Sequence, residues 1–148
     1  MQNENKRIET EMEVKSYIAK LRHAIHSGAK ISFQAERMVD NERDIKHTNA
    51  YTVATLFPNE NPIDALKREL LSLTSEEYIC TVKDLRFPKR SEMRVFGKTY
   101  NLSEDVYIKI RVELIDPNNF NNHTTFVMSF HFAETAFKES EFPYRNSN

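Results

Sequence analysis

The sequence predicts an α+β fold in which N-terminal helices pack on one face of an antiparallel sheet of three to five strands. Two patterns predict it. In the first half of the chain, apolar residues recur at three- and four-residue steps, the period of a helix packed on a core. In the second half they alternate with polar residues, the period of a strand with one buried face. Residues 1–7 and 139–148 are polar, so we expect a disordered N-terminus, a single domain over residues 8–138 and a flexible tail.

The helical half contains two clear helices. The first is predicted to start at Ile8 and to end before Gly28, where a left-handed residue fits. Its apolar stripe consists of Met12, Val14, Tyr17, Ile18, Leu21, Ala24 and Ile25. The second has Asn61 as its cap and Pro62 in its first turn. Its apolar face consists of Ile63, Leu66, Leu70 and Leu73.

Three other stretches of this half are less distinct. Lys30–Phe33 reads as a short strand or a bridge, and Ala35–Asn41 reads as a weak helix. The pattern at Thr48–Leu56 fits either a short helix capped by Thr48 or a strand.

The clearest strand runs from Val106 to Leu114. Val106, Ile108, Ile110, Val112 and Leu114 face one way, and Tyr107, Lys109, Arg111 and Glu113 face the other. The following strand, Thr125–Phe132, places Phe126, Met128, Phe130 and Phe132 on one face and Ser129 and His131 on the other. If the two strands pair across the Asn-rich turn at Asp116–His123, His131 lies near Tyr107 and Ser129 near Arg111. Further strands are expected at Tyr78–Lys83 and Met93–Tyr100.

Composition excludes several classes of site. Among its 148 residues the chain has two glycines, which excludes the Gly-rich loops that bind dinucleotides and nucleoside triphosphates. The only cysteine is Cys80, so neither a disulfide nor a cysteine-based zinc site is expected, and a cytoplasmic location is favoured. His23 and His26 share a helix face without an evident third ligand. We therefore expect no metal site. We also expect no cofactor, and no membrane segment because no apolar run reaches the required length.

A basic cluster lies between the predicted strands. It consists of Lys83, Arg86, Lys89, Arg90, Arg94 and Lys98, set against Asp84 and Glu92 and interleaved with Phe87, Phe96 and Tyr100. Because the whole chain has a formal net charge of -1, any attraction to an anionic polymer must come from such local clustering. The cluster could follow a phosphate backbone while Tyr100 and the other rings stack on unpaired bases. It could equally be a solvated loop or dock an acidic protein.

The polar face of the central strands carries groups suited to RNA cleavage without a metal. Tyr107 and His131 can exchange protons with a 2′-hydroxyl and a leaving oxygen, and Lys109 and Arg111 can stabilise the phosphorane. These four are the candidate catalytic residues. The alternative reading is the solvated outer face of an ordinary sheet.

Several short segments resemble the MqsR family of toxin ribonucleases, a branch of the RelE-like fold. The stretch from Leu21 to Met38 resembles that family's first helix, glycine stop and following strand. Ala65–Tyr78 resembles its next helix, and Phe96–Tyr100 falls where the family has WQDVY. Val106–Ile110 is similar to its VYLKI, and Val127–Phe130 to its IVSF.

The resemblance implies a RelE-like fold and three catalytic positions. The family tyrosine corresponds to Tyr107, but its lysine position falls on Cys80 and its glutamine position on Gly97. We therefore expect an RNA-binding or RNA-cleaving toxin-like protein of a bacterial or phage mobile element, with a protein antitoxin as partner. The alternative is a non-catalytic protein that binds and inhibits a nucleic-acid enzyme or a host defence factor.

Overall fold

A computed structural model describes residues 4–33, 48–113 and 124–145. Within these ranges six strands form one sheet. They are β1 (Glu4–Arg7), β2 (Lys30–Phe33), β3 (Tyr78–Asp84), β4 (Met93–Tyr100), β5 (Glu104–Glu113) and β6 (Thr124–Phe132). Their order across the sheet is β1-β3-β4-β5-β6-β2, and every pairing is antiparallel except that of β2 with β6. The mixed α+β class is as predicted, but the sheet is larger than three to five strands and is not purely antiparallel.

The helices are α1 (Glu11–His26), α2 (Asn49–Leu56) and α3 (Pro62–Leu71). Thr10 and Glu13 form a capping box at the start of α1, and Gly28 follows its end with a φ of 94°. Thr48 caps α2, which settles that ambiguous stretch as a helix. Asn61 accepts hydrogen bonds from two backbone N–H groups at the start of α3.

All three helices share one core with one face of the sheet. From the sheet this core includes Phe96, Ile108, Ile110, Val127 and Phe130. We call this the covered face. The opposite face, here called the open face, carries a smaller apolar cluster that consists of Cys80, Val82, Met93 and Val95, flanked by Ile79, Tyr107 and Met128. Met12, which was predicted to belong to the α1 stripe, is 73% exposed.

Both chain ends are more ordered than the sequence indicated. The segment predicted to be a disordered N-terminus contains β1, which pairs with β3 at the sheet edge. In the segment predicted to be a flexible tail, a 3-10 turn forms at Glu139–Glu141, Phe142 is buried, and Tyr144 stacks on Tyr78. Such elements cannot be recognised from a polar composition, because backbone pairing and single buried or stacked aromatic side chains hold them in place.

A β-bulge changes the predicted faces of β6. Lys109 pairs with Ser129, whereas the next residue, Ile110, pairs with Val127, so Met128 is the extra residue. Val127 consequently joins the covered face and Met128 the open face. The predictions for Ala35–Asn41, Leu114 and the turn at Asp116–His123 lie outside the described residues.

Candidate functional site in the open-face cavity

The polar residues of β5 and β6 line a cavity of about 910 Å³ on the open face. Tyr107 pairs with His131 as predicted, and Lys109 pairs with Ser129. The prediction that Ser129 lies near Arg111 is wrong, because the register that pairs Tyr107 with His131 places Ser129 opposite Lys109, and Arg111 pairs with Phe126 beyond the bulge. Four side chains from two strands therefore contact the same cavity: Tyr107, Lys109, Ser129 and His131.

The Tyr107 and His131 rings form the centre of this group. Their centroids lie 5.3 Å apart and their planes differ by 23°, which is a stacked arrangement. The His131 Nδ1 lies 3.1 Å from the Phe132 carbonyl oxygen, within hydrogen-bond distance. Lys109 and His131 are each only 8% exposed, so only a small part of each side chain is accessible from the cavity. Groups held this way are preorganised rather than freely solvated.

Helix α2 fixes the bulged part of β6. The Asn49 side-chain amide donates to the Met128 carbonyl oxygen (3.1 Å), and its oxygen accepts from the Phe130 N–H (3.1 Å). The Thr52 hydroxyl accepts from the Phe132 N–H at 2.8 Å. Strand β2 pairs only with the first part of β6. Further along β6, these side chains satisfy backbone N–H and carbonyl groups that β2 does not reach. They hold the β6 backbone that carries Ser129 and His131, along the edge of β6 that faces away from β5.

The loop between β3 and β4 forms one wall of the cavity through Arg86, Phe87 and Arg90. Arg86 makes a two-pronged ion pair with Asp84, with distances of 3.1 Å for each prong. This hydrogen bonding lowers the pKa of the Asp84 carboxyl below its usual value. The Arg90 guanidinium lies over the Phe87 ring at 3.9 Å from its centroid.

Residues 133–141, here called the strap, form the opposite wall. The Ala133 N–H donates to the Asp105 carbonyl oxygen (2.8 Å), and the Phe137 N–H to the Asp105 carboxylate (2.9 Å). The Phe137 ring covers Gly97 so closely that a Cβ at that position would lie 2.6 Å from the ring. The strap was not predicted, since its only large apolar side chain is Phe137, which polar residues separate from Phe142 just beyond the strap.

The basic cluster does not act as one surface. Arg94, Lys98 and Tyr100 point to the covered face, where carboxylates from the helical side bind them. Arg94 pairs with Glu9 (2.8 Å), and the Tyr100 hydroxyl donates to Glu69 (2.5 Å). These three residues therefore lie in carboxylate networks on the covered face, outside the described cavity lining, and their role in nucleic-acid binding stays a prediction.

Three further candidates have other positions. The Lys83 ammonium donates to the Arg90 carbonyl oxygen at 2.7 Å and so supports the loop. Lys89 is exposed on that loop, outside the described lining of the cavity. Arg111 is 8% exposed, lies 3.0 Å from Glu113 and is also outside that lining. Arg111 is therefore not part of the described cavity lining, although it follows Lys109 by two residues on the same face of β5.

Charges of both signs line the cavity. The cations are Arg86, Arg90, Lys109 and Lys138, and the carboxylates are Asp84, Glu134 and Glu141. Such a lining suits a ligand that offers hydrogen-bond donors as well as an anionic group. In the part of the chain that the structure describes, no group of His, Cys, Asp and Glu side chains could hold a metal ion.

The three positions to which the resemblance points lie on neighbouring strands. Cys80 belongs to the open-face apolar cluster, and Gly97 pairs with Tyr107 across β4 and β5. A glutamine side chain at position 97 would collide with the Phe137 ring. The strap therefore occupies the space that a longer side chain would need.

The described residues define a mixed α+β protein whose open sheet face carries a preorganised polar cavity. Comparison with protein-family models, with curated proteins and with solved structures found no match to this chain. Among the described residues, no helix has the length and apolar character required to cross a bilayer.

Proposed function

We propose that this protein binds RNA in the open-face cavity and cleaves it without a metal ion. One observation carries the proposal: Tyr107, Lys109, Ser129 and His131 line a single cavity of about 910 Å³ whose wall includes Arg86 and Arg90. This volume is in the usual range for small-molecule sites and leaves room for a nucleotide. The phosphate would contact the cations, and the sugar would contact the Tyr107–His131 pair.

The proposed reaction is transesterification at a 2′-hydroxyl. Tyr107 and His131 exchange the protons, one removing that of the 2′-hydroxyl and the other protonating the leaving 5′-oxygen. A bond forms between the 2′-oxygen and phosphorus while the bond to the 5′-oxygen breaks, which gives a 2′,3′-cyclic phosphate and a 5′-hydroxyl. Lys109, which follows Tyr107 by two residues on the same face of β5, stabilises the phosphorane. Arg90 is the second cation in this scheme, since Arg111 pairs with Glu113.

The test is cleavage of end-labelled single-stranded RNA by the purified protein in the presence of EDTA. Wild type should produce cyclic-phosphate ends, and Tyr107→Phe and His131→Ala should each slow cleavage about 100-fold or more. Matched controls are Tyr51→Phe on α2 and His26→Ala on α1, because both side chains are exposed away from the cavity lining. Intact RNA with wild type, or cleavage abolished by EDTA, would contradict the proposal.

The wider role that we propose is that of a toxin of a bacterial or phage mobile element, acting in the cytoplasm and held by an acidic protein antitoxin. Expression of wild type should then arrest growth and fragment transcripts, and Tyr107→Phe and His131→Ala should relieve both effects. Healthy growth with intact transcripts at high expression would contradict this role.

A second candidate is a non-catalytic protein that inhibits a nucleic-acid enzyme or a host defence factor. Two observations favour it: Cys80 and Gly97 replace the lysine and glutamine that the family resemblance implies, and Asp84 already neutralises Arg86. This candidate predicts that wild type leaves RNA intact but slows a target nuclease in stoichiometric amounts. Charge reversal at Arg90 should then abolish inhibition.

A further inference from the structure

We propose that the ligand of the cavity is single-stranded RNA and that Phe87 is the platform on which an unpaired base stacks beside the cavity. The inference rests on the proposed RNA binding and adds the substrate class and the residue that selects it. Of the three rings that interleave the basic cluster, Phe96 is fully buried and Tyr100 packs on the core. Phe87 is 43% exposed and also lines the cavity.

The platform is held ready by its own loop. The Phe87 N–H donates to the Asp84 carbonyl oxygen (3.1 Å), and the Arg90 N–H to the Phe87 carbonyl oxygen (3.0 Å). Lys83 closes the loop by its bond to the Arg90 carbonyl oxygen. An aromatic ring fixed in this way loses little conformational entropy when a ligand stacks on it.

Two guanidinium groups give the platform its cationic character. Arg90 lies 3.9 Å and Arg86 5.8 Å from the Phe87 ring centroid. A flat base can stack on the ring face opposite Arg90 while its phosphate contacts the Arg90 guanidinium, since Arg86 pairs with Asp84. Stacking combined with phosphate contacts is how proteins bind single strands without reading their sequence. In an A-form duplex both faces of each base are already stacked, and side chains meet mainly phosphates and 2′-hydroxyls. Phe87 therefore adds affinity for unpaired RNA only.

The experiment measures binding by fluorescence anisotropy with 2′-O-methyl oligonucleotides, which the proposed reaction cannot cleave. The probes are a short labelled single strand and a blunt duplex of the same sequence. Wild type should bind the single strand more tightly. Phe87→Ala should weaken that binding about 5- to 150-fold, which corresponds to about 1–3 kcal/mol for one stacked base. Duplex binding should stay unchanged, and Phe87→Trp should retain single-strand affinity.

Leu85→Ala is the matched control. Leu85 is 51% exposed on the same loop but is outside the described lining of the cavity, and it has no ring on which a base could stack. Its substitution should leave single-strand affinity unchanged. Melting temperatures of all variants confirm that each protein is folded.

The outcomes separate the two proposals. If wild type binds RNA and Phe87→Ala binds it equally well, the platform is overturned and the RNA function stands. If wild type binds neither probe, both are overturned. A loss with Leu85→Ala as large as with Phe87→Ala, or tighter binding of a labelled polyglutamate peptide than of the single strand, would assign the loop to a protein partner and overturn the platform.

Discussion

The two faces of the sheet hold their cations in different ways. On the covered face, Arg94 contacts Glu9, and Lys98 donates to Ser72 and lies 3.8 Å from both Glu69 and Glu77. On the open face, Lys109 lines a cavity together with Arg86 and Arg90. Neighbouring residues of one sequence cluster thus have separate tasks. The cations of the covered face are paired with carboxylates beside the core, whereas those of the open face line a cavity that a ligand can enter.

The largest expected effect comes from breaking the covered-face pair. Glu9 is 4% exposed; its carboxylate accepts hydrogen bonds from Arg94 at 2.8 and 3.3 Å and from the Thr81 hydroxyl. Glu9→Gln leaves the Arg94 charge uncompensated. We expect the free energy of unfolding to fall by about 3 kcal/mol, the lower end for buried pairs because Arg94 keeps 16% exposure. Urea unfolding monitored by circular dichroism measures this change.

Two variants test whether the faces really differ. Glu92→Gln removes the exposed pair with Arg7 and should cost only about 0.2–1 kcal/mol. Lys109→Met should leave stability closer to wild type than Glu9→Gln does, but should weaken RNA binding about tenfold through the loss of one charge-assisted hydrogen bond. Equal stability losses for Glu9→Gln and Lys109→Met would remove the distinction between the faces.

The same pair predicts a dependence on pH. Burial alone raises the pKa of Glu9, but hydrogen bonds from Arg94 and Thr81 and the Arg94 charge outweigh it, so this pKa lies below its usual value. A carboxyl with a lowered pKa contributes stability above its unfolded pKa of about 4.3 and loses it as the pH falls through the folded pKa. The stability difference between wild type and Glu9→Gln should therefore be full at neutral pH and should shrink in acid. A difference that stays constant down to pH ~3 would contradict the lowered pKa.

The pKa of Glu77, on the same face, is shifted in the opposite direction. Burial raises its pKa, and the Lys98 charge offsets this only in part. Its protonation is therefore easier in the folded state, and it contributes a small gain in stability as the pH falls. In Glu77→Gln this rise in the free energy of unfolding at low pH should be smaller than in wild type.

A smaller effect is expected on the open face at Gly97. The Cβ of Gly97→Ala would lie 2.6 Å from the Phe137 ring, which Phe142 holds edge-on at 5.5 Å between centroids. The ring must move, at a cost of about 1–3 kcal/mol. Because Phe137 lines the cavity, RNA affinity should change as well. Thermal unfolding and anisotropy measure the two effects.

A double-mutant cycle identifies the cause. Phe137→Ala removes the ring, so Gly97→Ala should cost much less in that background, and the two changes should be non-additive. Additive costs would mean that position 97 is restricted by the backbone and not by the strap.

Much of the fold could be predicted from local signals. Asn61 and Pro62 marked the start of α3, and the alternation along β5 assigned its two faces, so the Tyr107–His131 pairing is confirmed. The bulge at Met128 could not be predicted, because it depends on Asn49, a residue far away in the sequence. Nor could β1, since Glu4–Arg7 has no apolar residue and is held by backbone pairing with β3 and by the Arg7–Glu92 ion pair.

The division of the basic cluster was harder to predict. Arg94, Lys98 and Tyr100 share the parity of Phe96 along β4, whereas Met93 and Val95 have the other parity. Both faces of this strand carry apolar residues, so the sequence does not indicate which one the helices cover. The buried acid that binds Arg94 lies 85 residues away in the sequence. Glu9 comes close to Arg94 only once the sheet has folded.

A small effect of the opposite sign, a gain in stability, is expected at the β4–β5 hairpin, which belongs to neither face. Asn101 and Leu102 have φ values of 51° and 71°, and the Ser103 N–H donates to the Tyr100 carbonyl oxygen at 3.2 Å. Leucine in this left-handed region is strained, and Leu102 is fully exposed, so no burial offsets the strain. Leu102→Gly creates the Asn-Gly pair that such turns favour and should stabilise the protein by about 0.5–1 kcal/mol. RNA affinity should stay unchanged, and Asn101→Gly should have a smaller effect because asparagine tolerates positive φ. A loss of stability in Leu102→Gly would show that the leucine side chain contributes more than its exposure indicates.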